Sequence, residues 1–380
     1  MKDLFNKISS LEAQYLDLLE ELCNIESPTA DKERVDAAVS CLTELAKKRG
    51  WVTEICRQNV AGSPACITLN PDADNAPICF SAHLDTVHPV GSFGSPAVRR
   101  DGTNMYGPGV MDCKGGAVAA FMAMDALEQC GFTNRPIKLI LQTDEETGSS
   151  TSGKDTLRFM CEKAKDAVAF INLEGHVKGT AVIERKGILR YRFNVSGKAL
   201  HSARCYDAAN AVAESAHKII ELEKMKDPKG LTCNCGVISG GTTPNTVAEK
   251  CWFSADIRFS DQAQCDEAMS ILKNVADTSY VEGCSCELSK ISFRPSMPLT
   301  DRNAALLSKI NEIFVKNGLP TLSARPCHSG SDAAYITEIG VPCVDCLGTA
   351  GGNIHSINEY ITLDSLAASA RMLAVIAFGI

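Results

Sequence analysis

The sequence predicts an α/β protein: a mostly parallel-sheet domain interrupted by a smaller inserted α+β unit. Three observations carry this. The 380 residues are more than one ordinary domain holds. In the first half, apolar runs bounded by turn residues alternate with helical patterns, as in a parallel sheet covered by helices. Near residue 186 the rhythm changes to alternating strands and two long helices, and from about 295 the first rhythm resumes.

Taken in order, residues 11–25 and 32–49 have the apolar spacing of amphipathic helices. Apolar runs at 64–69 and 77–82 read as strands, as do those at 137–143 and 167–173, with an Ala-rich, Gly-led helix at 114–130 between them. The insertion comprises a strand at 187–196, a helix at about 206–224, strands at 231–239 and 246–259, a helix at 261–278 and a strand at 284–293. That β-α-β-β-α-β order is of the ferredoxin-like type. A helix at 363–378 closes the chain. The expected domains are therefore 1–185 with 295–380, and 186–294.

The composition, 45% hydrophobic and 22% charged, is that of a globular chain able to build a large core. A net charge of −8 leaves no basic footprint for nucleic acid. The segment Met1–Glu20 has no basic region followed by an apolar one, so no secretory signal is expected. No apolar run reaches membrane-spanning length, and the cytoplasm is the expected compartment. Eighteen cysteines in such a protein are expected to remain thiols. Cys233 and Cys235 stand too close for an ordinary zinc knuckle, as do Cys284 and Cys286, and the CxxC of Cys343 and Cys346 has no second half.

Five segments carry chemistry. Ser81-Ala82-His83-Leu84-Asp85-Thr86 follows an apolar strand, and sites in open α/β sheets gather at strand carboxyl ends. His83 and Asp85 share a face of an extended segment, so one can bind a metal while the other orients it; a turn with a helix cap is the plain alternative. In Gly107-Pro108-Gly109-Val110-Met111-Asp112-Cys113-Lys114-Gly115-Gly116, Asp112 sits at a tight turn before a helix. Its carboxylate can bridge two cations, or it can simply cap the helix. Thr143-Asp144-Glu145-Glu146-Thr147-Gly148 places three consecutive acids at a strand end, which repel unless a cation is present. Glu145 and Glu146 point apart, one towards a metal and one towards a water; a solvated acidic loop is the alternative. Glu174 ends another apolar strand, and a glycine-rich loop delivers His355. Carboxylates mixed with imidazoles suit zinc, with cobalt or manganese as substitutes, and a shared carboxylate holding two ions is a known device for activating water.

These motifs, from Ser81 to Glu359, resemble the co-catalytic zinc metallopeptidase family that includes carboxypeptidase G, succinyl-diaminopimelate desuccinylase, acetylornithine deacetylase, peptidase T and aminoacylase. The wording around His83 and Asp112 is most similar to the carboxypeptidase G type. The resemblance implies a zinc-peptidase-type catalytic domain with the insertion as lid and dimerisation domain. It implies that His83, Asp112 and Glu174 bind one zinc ion, and Asp112, Glu146 and His355 a second. It further implies a cis peptide bond after Asp112, Asp85 as the residue orienting His83, and Glu145 as general base. Within the lid, Gly197-Lys198-Ala199-Leu200-His201 resembles the motif whose histidine stabilises the tetrahedral intermediate, from the partner subunit in dimeric members. Asn245, Arg258 and Arg294 resemble substrate-binding positions, Arg294 matching a carboxylate-binding arginine of the carboxypeptidase G type.

The expected function is therefore cleavage of the amide bond of a short peptide or N-acyl amino acid bearing a free carboxylate, by a homodimer joined through its lids. A deacylase or desuccinylase of amino-acid biosynthesis is the first alternative and a non-catalytic metal-binding homologue the second. His88 and His176 lie near the motifs but match none, and structural roles are expected for them.

Overall fold

Leu4, Ile8, Leu11, Tyr15, Leu19 and Leu22 recur every three or four residues, and they form the buried stripe of one continuous helix, Lys2–Asn24. The helix thus begins nine residues before the expected start. The computed structural model describes residues 1–228 and 230–380. They divide into two compact units: Met1–Ile183, Leu299–Pro326 and Tyr335–Ile380 form the first, Glu184–Pro298 and Cys327–Ala334 the second.

The first unit is built on a six-stranded sheet. In spatial order its strands are Val52–Ile55, Ala65–Leu69, Ile137–Gln142, Ile78–His83, Ala169–Asn172 and Cys343–Val344. The last four run parallel and the first two pairings are antiparallel. The sheet is mostly parallel, as expected: Ala65–Leu69 alone runs against the others, paired antiparallel to Val52–Ile55 on one side and to Ile137–Gln142 on the other, and Val52–Ile55 is too short and too exposed to signal itself by apolar content. Ile78–His83 is buried along its whole length, as a central strand covered on both faces requires.

The helix Lys114–Gln129 is the core of this unit and is buried almost throughout. It packs between Lys2–Asn24 and Leu363–Gly379. Close approach to the strand end at Leu173 explains Gly116: a Cβ there would lie 2.4 Å from the Leu173 carbonyl oxygen. Asp125 is wholly buried on this otherwise apolar helix, so it must be paired. Its carboxylate accepts from Tyr15 Oη at 2.7 Å and Gln129 Nε2 at 2.7 Å and forms an ion pair with Arg49. We expect Asp125→Ala to destabilise the protein by about 2–4 kcal/mol, less than the full cost of breaking a buried pair because Arg49 still reaches water. Chemical denaturation checks this, and a loss below about 0.5 kcal/mol would show the network to be dispensable.

A second, antiparallel ribbon was not legible in the sequence. Gly351–Gly352, Tyr360–Thr362, Asn104–Tyr106 and Arg99–Arg100 pair in that order, with Tyr360 opposite Tyr106 and Ile361 opposite Met105. Its strands are two or three residues long, too short for periodicity to register. It joins segments some 250 residues apart, and so brings the His355 loop to the turn that carries Asp112.

The second unit runs strand Gly187–Ser196, helix Ala211–Glu223, strands Thr232–Gly240 and Lys250–Phe259, helix Gln262–Asp277 and strand Ser285–Arg294. Its antiparallel sheet has the order Thr232–Gly240, Lys250–Phe259, Gly187–Ser196, Ser285–Arg294. Alternate residues of Lys250–Phe259 are buried, and Phe253 stacks on its cross-strand partner Phe193 with ring centroids 4.6 Å apart. The helix expected from about 206 starts at Ala211, because the Asn210 side chain accepts from the amides of Val212 and Ala213 and caps it there. The segment Cys327–Ala334 clusters with this unit, where the Arg185 guanidinium donates to Ser329 Oγ at 3.0 Å and the Gly330 carbonyl at 3.3 Å.

Candidate metal centre

Each of the five expected ligands follows a strand end or lies in a loop of the first unit. His83 closes the strand Ile78–His83. Its Nδ1 lies 2.9 Å from the Asp85 carbonyl oxygen and donates to it, and Nε2, 3.1 Å from Asp112 Oδ1, is the nitrogen left to face a cation. Asp112 is nearly buried, and the peptide bond that follows it is cis. Asp112 does not cap the following helix, whose N-cap residue is Cys113 without a side-chain cap bond. Its second oxygen, Oδ2, lies 3.2 Å from His355 Nε2, which is 3.4 Å from Glu146 Oε2. His355 and Asn353 both take left-handed backbone angles, φ 60° and 58°, and these turn the loop so that the imidazole meets the carboxylates.

Two donor sets result, His83–Asp112–Glu174 and Asp112–Glu146–His355, with the ligand atoms of each within 4.8 Å of one another. Donors bound to one tetrahedral zinc at 2.0–2.1 Å stand about 3.3 Å apart, and the separations of 3.1–3.4 Å for His83–Asp112, His355–Asp112 and His355–Glu146 match that. Charge leads to the same conclusion. Burial, then the charge of Asp112, pushes the Glu174 carboxyl well above the ordinary range. Burial likewise pushes Glu146 up to about 7. Burial opposes ionisation of Asp112 too, but hydrogen bonds from His355 and His83 outweigh it and hold that carboxyl low. Hydrogen bonds to Asp112 and Glu146 raise His355 to about 10. Without a cation the cluster favours protons on Glu174 and on the imidazoles of His83 and His355 while Asp112 stays ionised; a pair of divalent ions would take the place of those protons. The residues therefore fit a two-metal centre sharing Asp112.

The consecutive acids separate cleanly. Asp144 is buried and structural: it accepts from Ser152 N at 2.7 Å and bonds the Thr147 hydroxyl. Glu145 and Glu146 receive their placement from Asp85, whose Oδ1 accepts from Glu145 N at 3.2 Å and whose Oδ2 accepts from Glu146 N at 3.1 Å. Thr29 Oγ1 donates to the same carboxylate at 2.8 Å. The Asp85 carboxylate lies 3.6 Å from His83 Nδ1, so the backbone carbonyl is the nearer acceptor for that imidazole. Asp85 thus ties the His83 strand to the Glu145–Glu146 turn.

Sequence reasoning missed one residue of weight here. Glu359 is fully buried. Its Oε1 accepts from the amides of Met111 at 2.8 Å and Asp112 at 3.0 Å, and its Oε2 from Gly109 N at 3.2 Å, with His88 Nε2 3.1 Å from the same oxygen. One carboxylate thus holds the Asp112 turn, and His88 acts through it. In the sequence Glu359 is only an acid four residues after His355, with nothing to mark it as buried. We expect Glu359→Gln, which cannot accept from all these donors, to weaken metal affinity about 10–100-fold; titration against a competing chelator checks this, and unchanged affinity would reduce Glu359 to a packing role.

The remaining expected residues lie in the second unit. His201 and Asn245 are 44 positions apart in sequence, yet they come together: His201 bridges Thr246, and Ser202 N donates to the Asn245 carbonyl at 2.9 Å. Both are exposed. Arg258 donates to Asp256 at 2.6 Å, which also pairs with Arg190 at 2.5 Å. Arg294 ends its strand nearly buried, against Gly330. His176 is structural: its Nδ1 bonds the Cys346 carbonyl at 2.8 Å.

The profile of peptidase family M20/M25/M40 matches residues 79–378. The chain belongs to that family. As an M20-type protein it is a metal-dependent hydrolase of amide bonds, with an α/β catalytic unit and a separate antiparallel-sheet unit. It is 25% identical over 380 residues to carboxypeptidase G2 of Pseudomonas sp. (strain RS-16), covering 98% of this chain and 90% of that protein. It is 27% identical over 377 residues to succinyl-diaminopimelate desuccinylase of Rickettsia akari (strain Hartford), covering 93% and 96%. Among solved structures, the aminopeptidase PepT of Bacillus cereus superposes with a TM-score of 0.77 at 22% identity, covering 96% of this chain and 98% of that one. The M20 metallo-carboxypeptidase Sso-CP2 of Sulfolobus solfataricus gives 0.75 at 18%, with the same coverage. No helix among the described residues is long and apolar enough to cross a membrane.

Proposed function

We propose that the protein is a dinuclear-zinc exopeptidase-like hydrolase that cleaves an amide bond next to a free carboxylate in a short peptide or N-acyl amino acid. The observation that carries this is Asp112, which turns one oxygen to His83 and the other to His355. Held by these two donor sets, a pair of zinc ions would bring the pKa of water towards neutrality and polarise the scissile carbonyl, with cobalt or manganese as substitutes.

The chain's own groups do the rest. Glu145 takes the proton of the attacking water and returns it to the leaving nitrogen. Its burial beside Glu146, on a turn fixed by Asp85, supports that role. His201 accepts from Ala203 N through Nδ1, which leaves Nε2 carrying the proton of a neutral ring; such a donor suits an oxyanion. By family resemblance it serves the partner subunit, Asn245 and Arg258 contact substrate, and Arg294 forks onto the free carboxylate. The second unit reads as the ferredoxin-like lid and dimerisation domain, and the exposed Val212 and Ile220 on its helix Ala211–Glu223 support a homodimer. The free thiols fit a cytoplasmic setting.

Similarity to both carboxypeptidase G2 and succinyl-diaminopimelate desuccinylase keeps a deacylase as the second reading. Dipeptides and N-acyl amino acids, each free and as the carboxamide, separate the two. We expect chelation to abolish turnover, zinc or cobalt to restore it, and carboxamides to be poor substrates. Full turnover in metal-free protein would overturn the metal mechanism, and equal rates on carboxamides would overturn the carboxylate requirement.

A further inference from the structure

A third donor cluster lies in the second unit, on the strand paired with the one that carries Asp256 and Arg258. Cys233 and Cys235 stand two apart on Thr232–Gly240, an edge strand, so their thiols share a face. The strand departs from regular register between Asn234 and Val237, and such bulges re-aim side chains. Glu223, the last residue of helix Ala211–Glu223, meets them there: its Oε1 accepts from Cys235 N at 3.4 Å. One carboxylate oxygen and the two sulfurs all lie within 4.8 Å of one another. Sulfurs bound to a single tetrahedral zinc at 2.3 Å stand about 3.8 Å apart, so small shifts of side chains bring the three donors to bonding distance, with a water as the fourth ligand.

We propose that Cys233, Cys235 and Glu223 form a structural site for a thiophilic divalent cation, zinc by class, that ties the end of the helix to the edge strand. Spacing alone argues against a cysteine site, because Cys233 and Cys235 stand too close for an ordinary zinc knuckle. The fold adds a third donor from Glu223, ten residues upstream. Local charge balances: two thiolates and a carboxylate carry three negative charges, and a zinc ion with Lys226, ion-paired to Glu223, carries three positive ones. Cys233 is buried and Cys235 is partly open, which gives a cation a way in.

The full-length protein, kept reduced and loaded with zinc, tests this. We expect one zinc more per chain in the wild type than in Cys235→Ser, and two thiols protected from a disulfide reagent only while zinc is bound. Loaded with cobalt, the wild type should show a near-ultraviolet thiolate-to-cobalt band that Cys235→Ser and Cys233→Ser both lose. Amidase activity should stay unchanged in Cys235→Ser, so loss of this site is distinguishable from loss of the catalytic centre. Equal zinc content in wild type and variant, or a thiolate band that survives both substitutions, would overturn the proposal. Because Cys233 lies in the core, Cys235→Ser carries the test if Cys233→Ser fails to fold.

Discussion

Glu145→Ala is expected to lower kcat by about 10²–10⁴-fold, the span a positioned general base supplies, while metal content stays at the wild-type level. The expectation comes from how neighbouring residues divide their work. Asp85 holds the amides of both Glu145 and Glu146, so deleting the Glu145 side chain leaves the turn in place. Glu146 then still reaches His355 and Asp112. Glu146→Ala, one residue along, should instead release metal from the Asp112–Glu146–His355 set and lose activity for that reason. Metal analysis beside steady-state kinetics separates the two. If Glu145→Ala kept more than a tenth of wild-type kcat with metal bound, another group would be the base. If it lost metal, Glu145 would be a ligand, and the division of labour along this turn would be wrong.

The catalytic half of the fold was legible where apolar runs are long and continuous. Ile78–His83 and Ile137–Gln142 announce themselves because both of their faces are buried, and their carboxyl ends carry His83 and the Glu145–Glu146 turn. Elements defined by pairing rather than by burial were not legible. The ribbon of Asn104–Tyr106 with Tyr360–Thr362 has three residues a side, and only the fold shows that it carries His355 to Asp112. Buried polar groups were equally silent. Asp125 looks like an interruption in an apolar helix until Tyr15 and Arg49 arrive from elsewhere, and Glu359 looks like a loop acid until three amides converge on it. Periodicity reports which face of an element is apolar; it does not report which distant groups will satisfy a buried charge. The same limit applies to Cys233 and Cys235, whose third donor comes from a helix end.

Asp112→Ala is expected to abolish binding at both metal sites and with it all measurable turnover, while the metal-free protein keeps its stability to within about 1 kcal/mol. Two readings of Asp112 are open in the sequence, a bridging ligand and a helix cap, and they predict opposite results. A cap would cost about 0.5–2 kcal/mol of stability on removal and leave metal untouched. The structure removes the basis of that reading, because helix Lys114–Gln129 begins at Cys113 without a side-chain cap bond. The turn itself is held from outside by Glu359, through backbone amides that the substitution does not alter, so the loop should persist without the Asp112 side chain. What disappears is the one carboxylate common to both donor sets, and with it the charge that faces His83 and His355 from either side. His83→Ala breaks one set only and should leave the other able to hold an ion. Metal stoichiometry, read in a Cys235→Ser background so that only the Asp112 centre is counted, should therefore fall from two to one to none across the unaltered centre, His83→Ala and Asp112→Ala. Equal stoichiometry in the two variants would mean that Asp112 serves a single ion and that the centre is not bridged.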